Sequence, residues 1–214
     1  MFVANRMSKN PITVTPETKV DDAAAIMKRS KVRRLPVVQD GRLVGFLTNQ
    51  DLATVTPSPA TTLSKFEINS LLAKICVKEV MSTNVIYIKS DATIEEAALL
   101  MAQNKIGALP VVSEVGAVVG VITDTDIFRT FVDIMGLADG KSRITISVDN
   151  KVGAIADISG IFVAEGINID SLVTCKKPDG KYEILLRGDF QDLDDINNKL
   201  IAHGYDVIHS VRIG

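Results

Sequence analysis

The chain has 214 residues, 46% of them hydrophobic, only 5% aromatic and none tryptophan, which suits one large domain or two small ones cored by Val, Ile, Leu and Ala. A net charge of −2 and a pI near 5.7 give no general attraction to nucleic acid or to anionic membrane. No apolar run approaches the roughly 20 residues that span a bilayer, and the start lacks the apolar stretch of a signal peptide. Cys76 and Cys175 are too few for a disulfide framework or a zinc site, so a reduced cytoplasm is the expected setting.

In chain order, Pro11 to Pro16 predicts a short extended segment, since each proline turns its predecessor away from helix. Thr18 is the expected N-cap of a helix whose buried stripe is Val20, Ala23, Ala24 and Met27. Leu35–Val38 and Leu43–Leu47 read as two strands joined by a tight Asp40-Gly41 turn. Asn49-Gln50-Asp51 then marks a strand-to-helix junction. Residues 1–54 thus form a first unit of order strand, helix, strand, strand, helix. Residues 55–75 read as a linker, loop-like through Thr62 and weakly helical from Leu63 to Leu72.

The pattern then repeats over a second unit, 76–135. Met81-Ser82 follows Met7-Ser8 by 74 residues, and the stripe Ile94, Ala97, Ala98, Met101 and Leu109-Pro110 keep that offset from their first copies. After one inserted turn residue, Gly120, Thr123 and Asp126 match Gly45, Thr48 and Asp51. Thr93 with Glu96 predicts a capping box at the second long helix.

On Arg34-Leu35-Pro36-Val37-Val38 and Gly45-x-x-Thr48-x-x-Asp51, with their second copies, the first 135 residues resemble a tandem pair of CBS domains, a Bateman module. That resemblance implies two units stacked about a pseudo-two-fold, with an adenine nucleotide or related adenosyl ligand between them. A strand end leading into a helix offers free N–H groups and the positive end of the helix dipole to a phosphate. Thr48 and Thr123 add a hydroxyl there. Asp51 and Asp126 would accept hydrogen bonds from a ribose diol, as the resemblance implies. The base would lie against Ile12-Thr13-Val14 or Ile86-Tyr87-Ile88, and Arg33, Arg34 and Lys105 are the candidate phosphate partners. Thr-x-x-Asp at a helix start is also an ordinary cap. Gly107 and Ala108 replace Arg33 and Arg34 in the second copy, so the two clefts are expected to be unequal, and occupancy of one or of both stays open. Asp124 and Asp126 alternate on an extended segment and do not read as a metal pair.

The glycines of 136–140 mark a boundary before a third unit, 141–214. Arg143–Val148 alternates as a strand. A helix follows with Ile155, Ile158 and Phe162 on one face, then a strand from Ile167 to about Lys176, a Pro178-Asp179-Gly180 turn, and a strand from Tyr182 to Arg187. A helix marked by Leu193, Ile196 and Leu200 and a strand from Asp206 to Ile213 complete βαββαβ, the ferredoxin-like pattern. Val148-Asp149, Gly153 and Glu165-Gly166-Ile167-Asn168-Ile169 resemble an ACT domain, although Val152 stands where that family usually has proline. Gly153 and Asn168 would be its ligand residues. With no ionic group marking the loop, pairing of ACT domains is the better expectation than amino-acid binding. His203 and His209 read as surface or capping residues.

The fold class is therefore α+β. Two CBS units followed by one ACT unit resemble the AcuB family of acetoin-utilisation accessory proteins. No nucleophile with a base, no phosphate-binding glycine loop and no metal-ligand spacing is present in the sequence, so the expectation is a regulatory protein and not an enzyme, requiring no cofactor. The expected ligand is AMP, ADP, ATP or S-adenosylmethionine. The expected partners are a second copy, giving a homodimer through CBS or ACT units, and an unidentified metabolic enzyme or regulator. A ligand-free adaptor is the alternative.

Overall fold

The computed structural model describes residues 1–56, 64, 67–68, 72–137 and 142–212. Most of the linker residues 57–71, and residues 138–141 and 213–214, lie outside that description. The chain divides into two units, 1–127 and 128–214.

In the first unit, helix α1 (Val20–Ser30) leads into the hairpin β2 (Arg34–Gln39) and β3 (Arg42–Thr48), and then α2 (Asn49–Val55). Asp40 and Gly41 turn this hairpin with φ of 50° and 75°, the left-handed pair that a two-residue turn requires. The second copy has α3 (Ile94–Asn104), β5 (Ala108–Val112), β6 (Val118–Thr123) and the start of α4 (Asp124–Ile134). Both hairpins slip register at the same place, after Val37 and after Val111.

The leading segments are exchanged between the copies. Strand β1 (Ser8–Lys9) pairs with β6 of the second copy, Ser8 opposite Val121. Ser82, 74 residues on, bridges Phe46 on β3 of the first copy, with hydrogen bonds of 3.0 Å in both directions. Val3 N donates to Ala92 O at 2.8 Å, and Val77 N to Thr18 O at 2.8 Å. The cores follow the exchange: Val3 is buried with Ile88, Ile94 and Leu109, and Val77 with Val20, Leu35 and Leu47. Within each copy a parallel contact remains, Val14 on Val37 and β4 (Ile88–Lys89) on Val111 and Val112.

This exchange explains the repeated glycine. A Cβ at Gly45 would overlap the Met81 sulfur, and one at Gly120 the Met7 sulfur. The repeated methionines therefore occupy the space that the repeated glycines leave empty, each across the copy boundary.

Capping departs from expectation in the first copy. Helix α1 begins after Lys19 with no side-chain cap, because the Thr18 hydroxyl accepts from Thr15 N at 3.0 Å and closes its own turn. In α3 the predicted box is present: Thr93 N donates to Glu96 Oε2 at 2.7 Å and Glu96 N to Thr93 Oγ1 at 3.2 Å. The hydrogen bonds from Thr93, the backbone one first, hold the Glu96 carboxyl below its ordinary range. Its contribution is therefore present at neutral pH and lost as pH falls through that depressed value. Thr93→Ala is expected to cost about 1 kcal/mol in urea denaturation.

The second unit is a four-stranded antiparallel sheet in the order β10 (Asp206–Arg212), β7 (Ser142–Val148), β9 (Tyr182–Gly188), β8 (Ser171–Lys176). Helices α5 (Ala154–Ala164) and α6 (Leu193–Ala202) complete the predicted βαββαβ order, and the core joins Ile144, Ile146, Ile158, Phe162, Leu186 and Ile196. Ile155, expected on the buried stripe of α5, is 47% exposed, and Ile161 is buried in its place. Residues 167–169 stay outside β8, which begins only at Ser171.

Candidate functional site

The exchange makes a composite cleft of about 390 Å³ in the first unit. From the first copy come Arg33 and Arg34 at the entry to β2, Phe46 on β3, and Thr48, Asn49 and Gln50 at the start of α2. From the second come Ser82, Asn84, Val85 and Ile86 before β4, and Lys105 to Ala108 between α3 and β5. Among the described residues its wall carries three cations and no carboxylate, beside apolar Phe46, Val85, Ile86 and Ile106.

Backbone geometry sets these side chains. Lys105 closes α3 at φ 53°, in the left-handed conformation that a helix C-terminus favours for glycine. Lys31 does the same after α1 at φ 54°. Asn49 N donates to Arg33 O at 3.0 Å, and Asp124 N to Gly107 O at 3.1 Å, so each helix start is tied to the approach of its own hairpin.

The two Thr-x-x-Asp motifs are capping boxes. Thr48 N and Oγ1 both donate to Asp51 Oδ2 at 2.7 Å, and Asp51 N donates to Thr48 Oγ1 at 3.3 Å. In the second copy Thr123 N and Oγ1 donate to Asp126 Oδ2 at 2.9 and 2.7 Å, and Asp126 N returns a 3.3 Å bond. Both hydrogen bonds to the Asp51 side chain in the first box go to Oδ2 and come from the threonine. Among the described residues nothing hydrogen-bonds Asp51 Oδ1.

Of the residues singled out in the sequence, the cleft gathers Arg33, Arg34, Thr48, Ile86 and Lys105. Asp51 lies behind Thr48, outside the wall. Thr123, Asp126, Ile12, Thr13 and Val14 do not line it; Val14 is buried against Val37, while Ile12 is 43% exposed. Tyr87 and Ile88 belong to neighbouring grooves. Phe46, Asn84, Ile106 and Ala108 were missed. Their signal was the 74-residue repeat of Met-Ser, read as duplication but not as exchange.

The copies differ at their centre. A Cβ on Gly107 would lie 2.8 Å from Asp124 Oδ2 and 3.0 Å from Arg34 Nη2, so the carboxylate and guanidinium flank this glycine together. Burial lowers the Arg34 pKa from its ordinary value, with Asp124 opposing and Arg33 adding to the fall. In the repeat Asp124 takes the place of Asn49, and Arg34 that of Ala108. The cleft equivalent around Thr123 thus has an arginine and an acid where the first has alanine and asparagine.

In the second unit a smaller cleft of about 310 Å³ lies at the start of α5, lined by Val148 to Lys151, Gly153 and Tyr182 among others. Gly153 has φ 92° and open space around it, so conformation and not crowding requires glycine there. Asn168 is elsewhere, donating to Asp170 Oδ1 at 3.1 Å. His203 Nδ1 lies 2.8 Å from Lys199 O, and both histidines are exposed. Among the described residues no group of His, Cys, Asp and Glu is placed to hold a metal, and no helix is long and apolar enough to cross a membrane.

The CBS domain family matches residues 3–57 and 77–133, over half of the chain. The chain belongs to the CBS-domain family. The ACT domain family matches 142–204, so tandem CBS domains are followed by an ACT domain. The CBS pair of MJ0100, solved with 5′-methylthioadenosine and S-adenosyl-L-methionine, is 30% identical, covering 62% of this chain and 97% of that one at a TM-score of 0.52. CBSX2, solved with AMP, is 29% identical with the same coverages and TM-score. AcuB from Vibrio cholerae is 28% identical over 65% of this chain and 96% of its own, at 0.53. The match to MJ1225 of Methanocaldococcus jannaschii, 33% identical over 127 residues, spans only 45% of that protein's length, and the match to inosine-5′-monophosphate dehydrogenase of Korarchaeum cryptofilum, 35% identical, spans 26%. CBS pairs thus occur both in proteins built almost wholly of them and inside enzymes.

Proposed function

We propose that this chain is a non-catalytic regulator whose CBS pair binds one adenine nucleotide in the composite cleft and signals its presence to a metabolic enzyme or regulator. The observation that carries this reading is the cleft wall, which among the described residues has three cations, no carboxylate and apolar Phe46, Val85, Ile86 and Ile106. The CBS pairs of MJ0100 and CBSX2, solved with adenosyl compounds, support the ligand class. The base lies against Ile86 and Val85, and Lys105, Arg33 and the α2 N-terminus receive phosphate. Asp51 turns Oδ1 to the ribose diol. Such a wall favours AMP, ADP or ATP over S-adenosylmethionine, whose sulfonium and ammonium groups it repels. The equivalent position at Thr123 and Asp126 is closed by Arg34 with Asp124. The chain works as a homodimer in the cytoplasm, with its domains at about 1–54, 76–135 and 141–214, and the ACT unit serves pairing.

The test is thermal unfolding against AMP, ADP, ATP, S-adenosylmethionine and amino acids. A ligand at a hundred times its dissociation constant stabilises the folded state by about 2.7 kcal/mol. Stabilisation by a nucleotide supports the proposal. Stabilisation by an amino acid alone moves the sensor to the ACT unit and the cleft at Gly153, and no response at all favours a ligand-free adaptor. Lys105→Gly separates binding from folding. It relieves a left-handed lysine, so stability is expected to hold or rise by up to about 1 kcal/mol, while nucleotide affinity falls by roughly tenfold with the lost charge. Parallel urea denaturation and calorimetric titration measure the two effects.

A further inference from the structure

The sheet face of the second unit that the helices α5 and α6 leave uncovered carries a group of buried polar atoms without hydrogen-bond partners. On β7, Arg143 and Thr145 point away from the core residues Ile144 and Ile146. Arg187 on β9 stands directly across from Arg143. Arg187 is only 5% exposed, yet its Nε and Nη1 have no hydrogen-bond partner. The buried Nε of Arg143 and the hydroxyl of Thr145, itself 4% exposed, are also unsatisfied. The turn after α4 roofs the cluster: a Cβ at Gly136 would sit 3.6 Å from Arg187 Cδ, and Ser171 Oγ donates to Ile134 O at 2.9 Å.

Burial, then the neighbouring Arg143, lowers the Arg187 pKa from its ordinary value. Two desolvated like charges with idle donors are unfavourable unless something compensates them. Three guanidinium N–H groups and a hydroxyl on one face form a donor set for a bidentate oxyanion.

We propose that Arg143, Thr145 and Arg187 form an oxyanion-binding site on the helix-free face of the ACT sheet, taking the carboxylate or phosphate of a small metabolite. This site does not include the start of α5, and it depends neither on that cleft nor on the nucleotide reading of the CBS pair. Its occupant neutralises the arginine pair and fixes the turn at Gly136 against the sheet.

The test follows the Nε–H resonances of both arginines in nitrogen-15 spectra of the full chain, titrated with inorganic phosphate or acetate, with chloride at matched ionic strength as control. The expected result is a saturable shift of both resonances with phosphate, acetate or both, and none with chloride; which anion acts identifies the group recognised. Arg187→Met is expected to abolish the shift at Arg143 and to raise the anion-free melting temperature by about 2–4 °C, because it removes an uncompensated buried charge. Should Arg187→Met fail to fold, Arg143→Met is expected to abolish the shift at Arg187 and likewise to raise the anion-free melting temperature. Absence of a saturable shift with either anion, or a fall in melting temperature in both variants, overturns the proposal and leaves the arginines a packing role alone.

Discussion

Asp51→Ala is expected to abolish the stabilisation that a nucleotide confers on the chain, while costing the ligand-free protein only about 1 kcal/mol. The two effects have different origins. In the ligand-free state the carboxylate serves the cap, holding Thr48 N and Oγ1 through Oδ2. In the complex it also supplies the ribose acceptor, so the linked stabilisation of about 2.7 kcal/mol at a hundredfold excess of ligand is lost. Asp126→Ala is the control within the same chain. It breaks the equivalent cap, with the same expected cost, but leaves the nucleotide effect in place because its cap partner Thr123, unlike Thr48, does not line the cleft. Melting curves of the three proteins with and without AMP and ATP decide the matter. Equal loss of ligand response in both variants would mean that both positions bind.

Gly120→Ala carries the largest expected cost to folding, about 1–3 kcal/mol. A Cβ there overlaps the Met7 sulfur and lies 3.1 Å from the backbone oxygen of Ser8, which belongs to the exchanged strand and cannot rotate aside. Gly45→Ala meets only the Met81 side chain, and a thioether yields by changing rotamer. It is expected to cost less, below about 1 kcal/mol. Gly160→Ala, in the middle of α5 with open space around it, is expected to stabilise the ACT unit by up to about 1 kcal/mol. Urea denaturation of the three variants should rank them in that order. Equal costs at 45 and 120 would show that the exchanged backbone does not determine the difference.

Much of this architecture was legible because its local signals agree. Asp40-Gly41 demanded a left-handed turn, Thr93 and Glu96 a capping box, and the 74-residue repeat a duplication. The ACT order could be read from periodicity alone. What stayed hidden depends on which copy a strand joins. Met7-Ser8 and Met81-Ser82 have the same local preferences in either sheet, so their exchange is a tertiary choice made by the glycines opposite them. Local pattern therefore leaves Ile12 to Val14 and Ile86 to Ile88 as equal candidates for base contact, whereas the cleft joins Thr48 to Ile86 of the other copy and leaves Ile12 to Val14 out. The Arg33-Arg34 pair was read as phosphate-binding from charge. The position of Arg34 beside Asp124 required the pseudo-two-fold to bring two distant segments together. Buried Arg187 sat unremarked in an apolar strand, because alternation says which face a residue takes but not what roofs that face.

The most direct test is calorimetric titration of the chain with AMP and ATP, alongside Lys105→Gly and Arg34→Ala. The account predicts one nucleotide per chain, weaker binding at about tenfold or more in Lys105→Gly, and a second site opened near Thr123 in Arg34→Ala. Two sites of equal affinity in the unmodified chain, or binding untouched by Lys105→Gly, would contradict it.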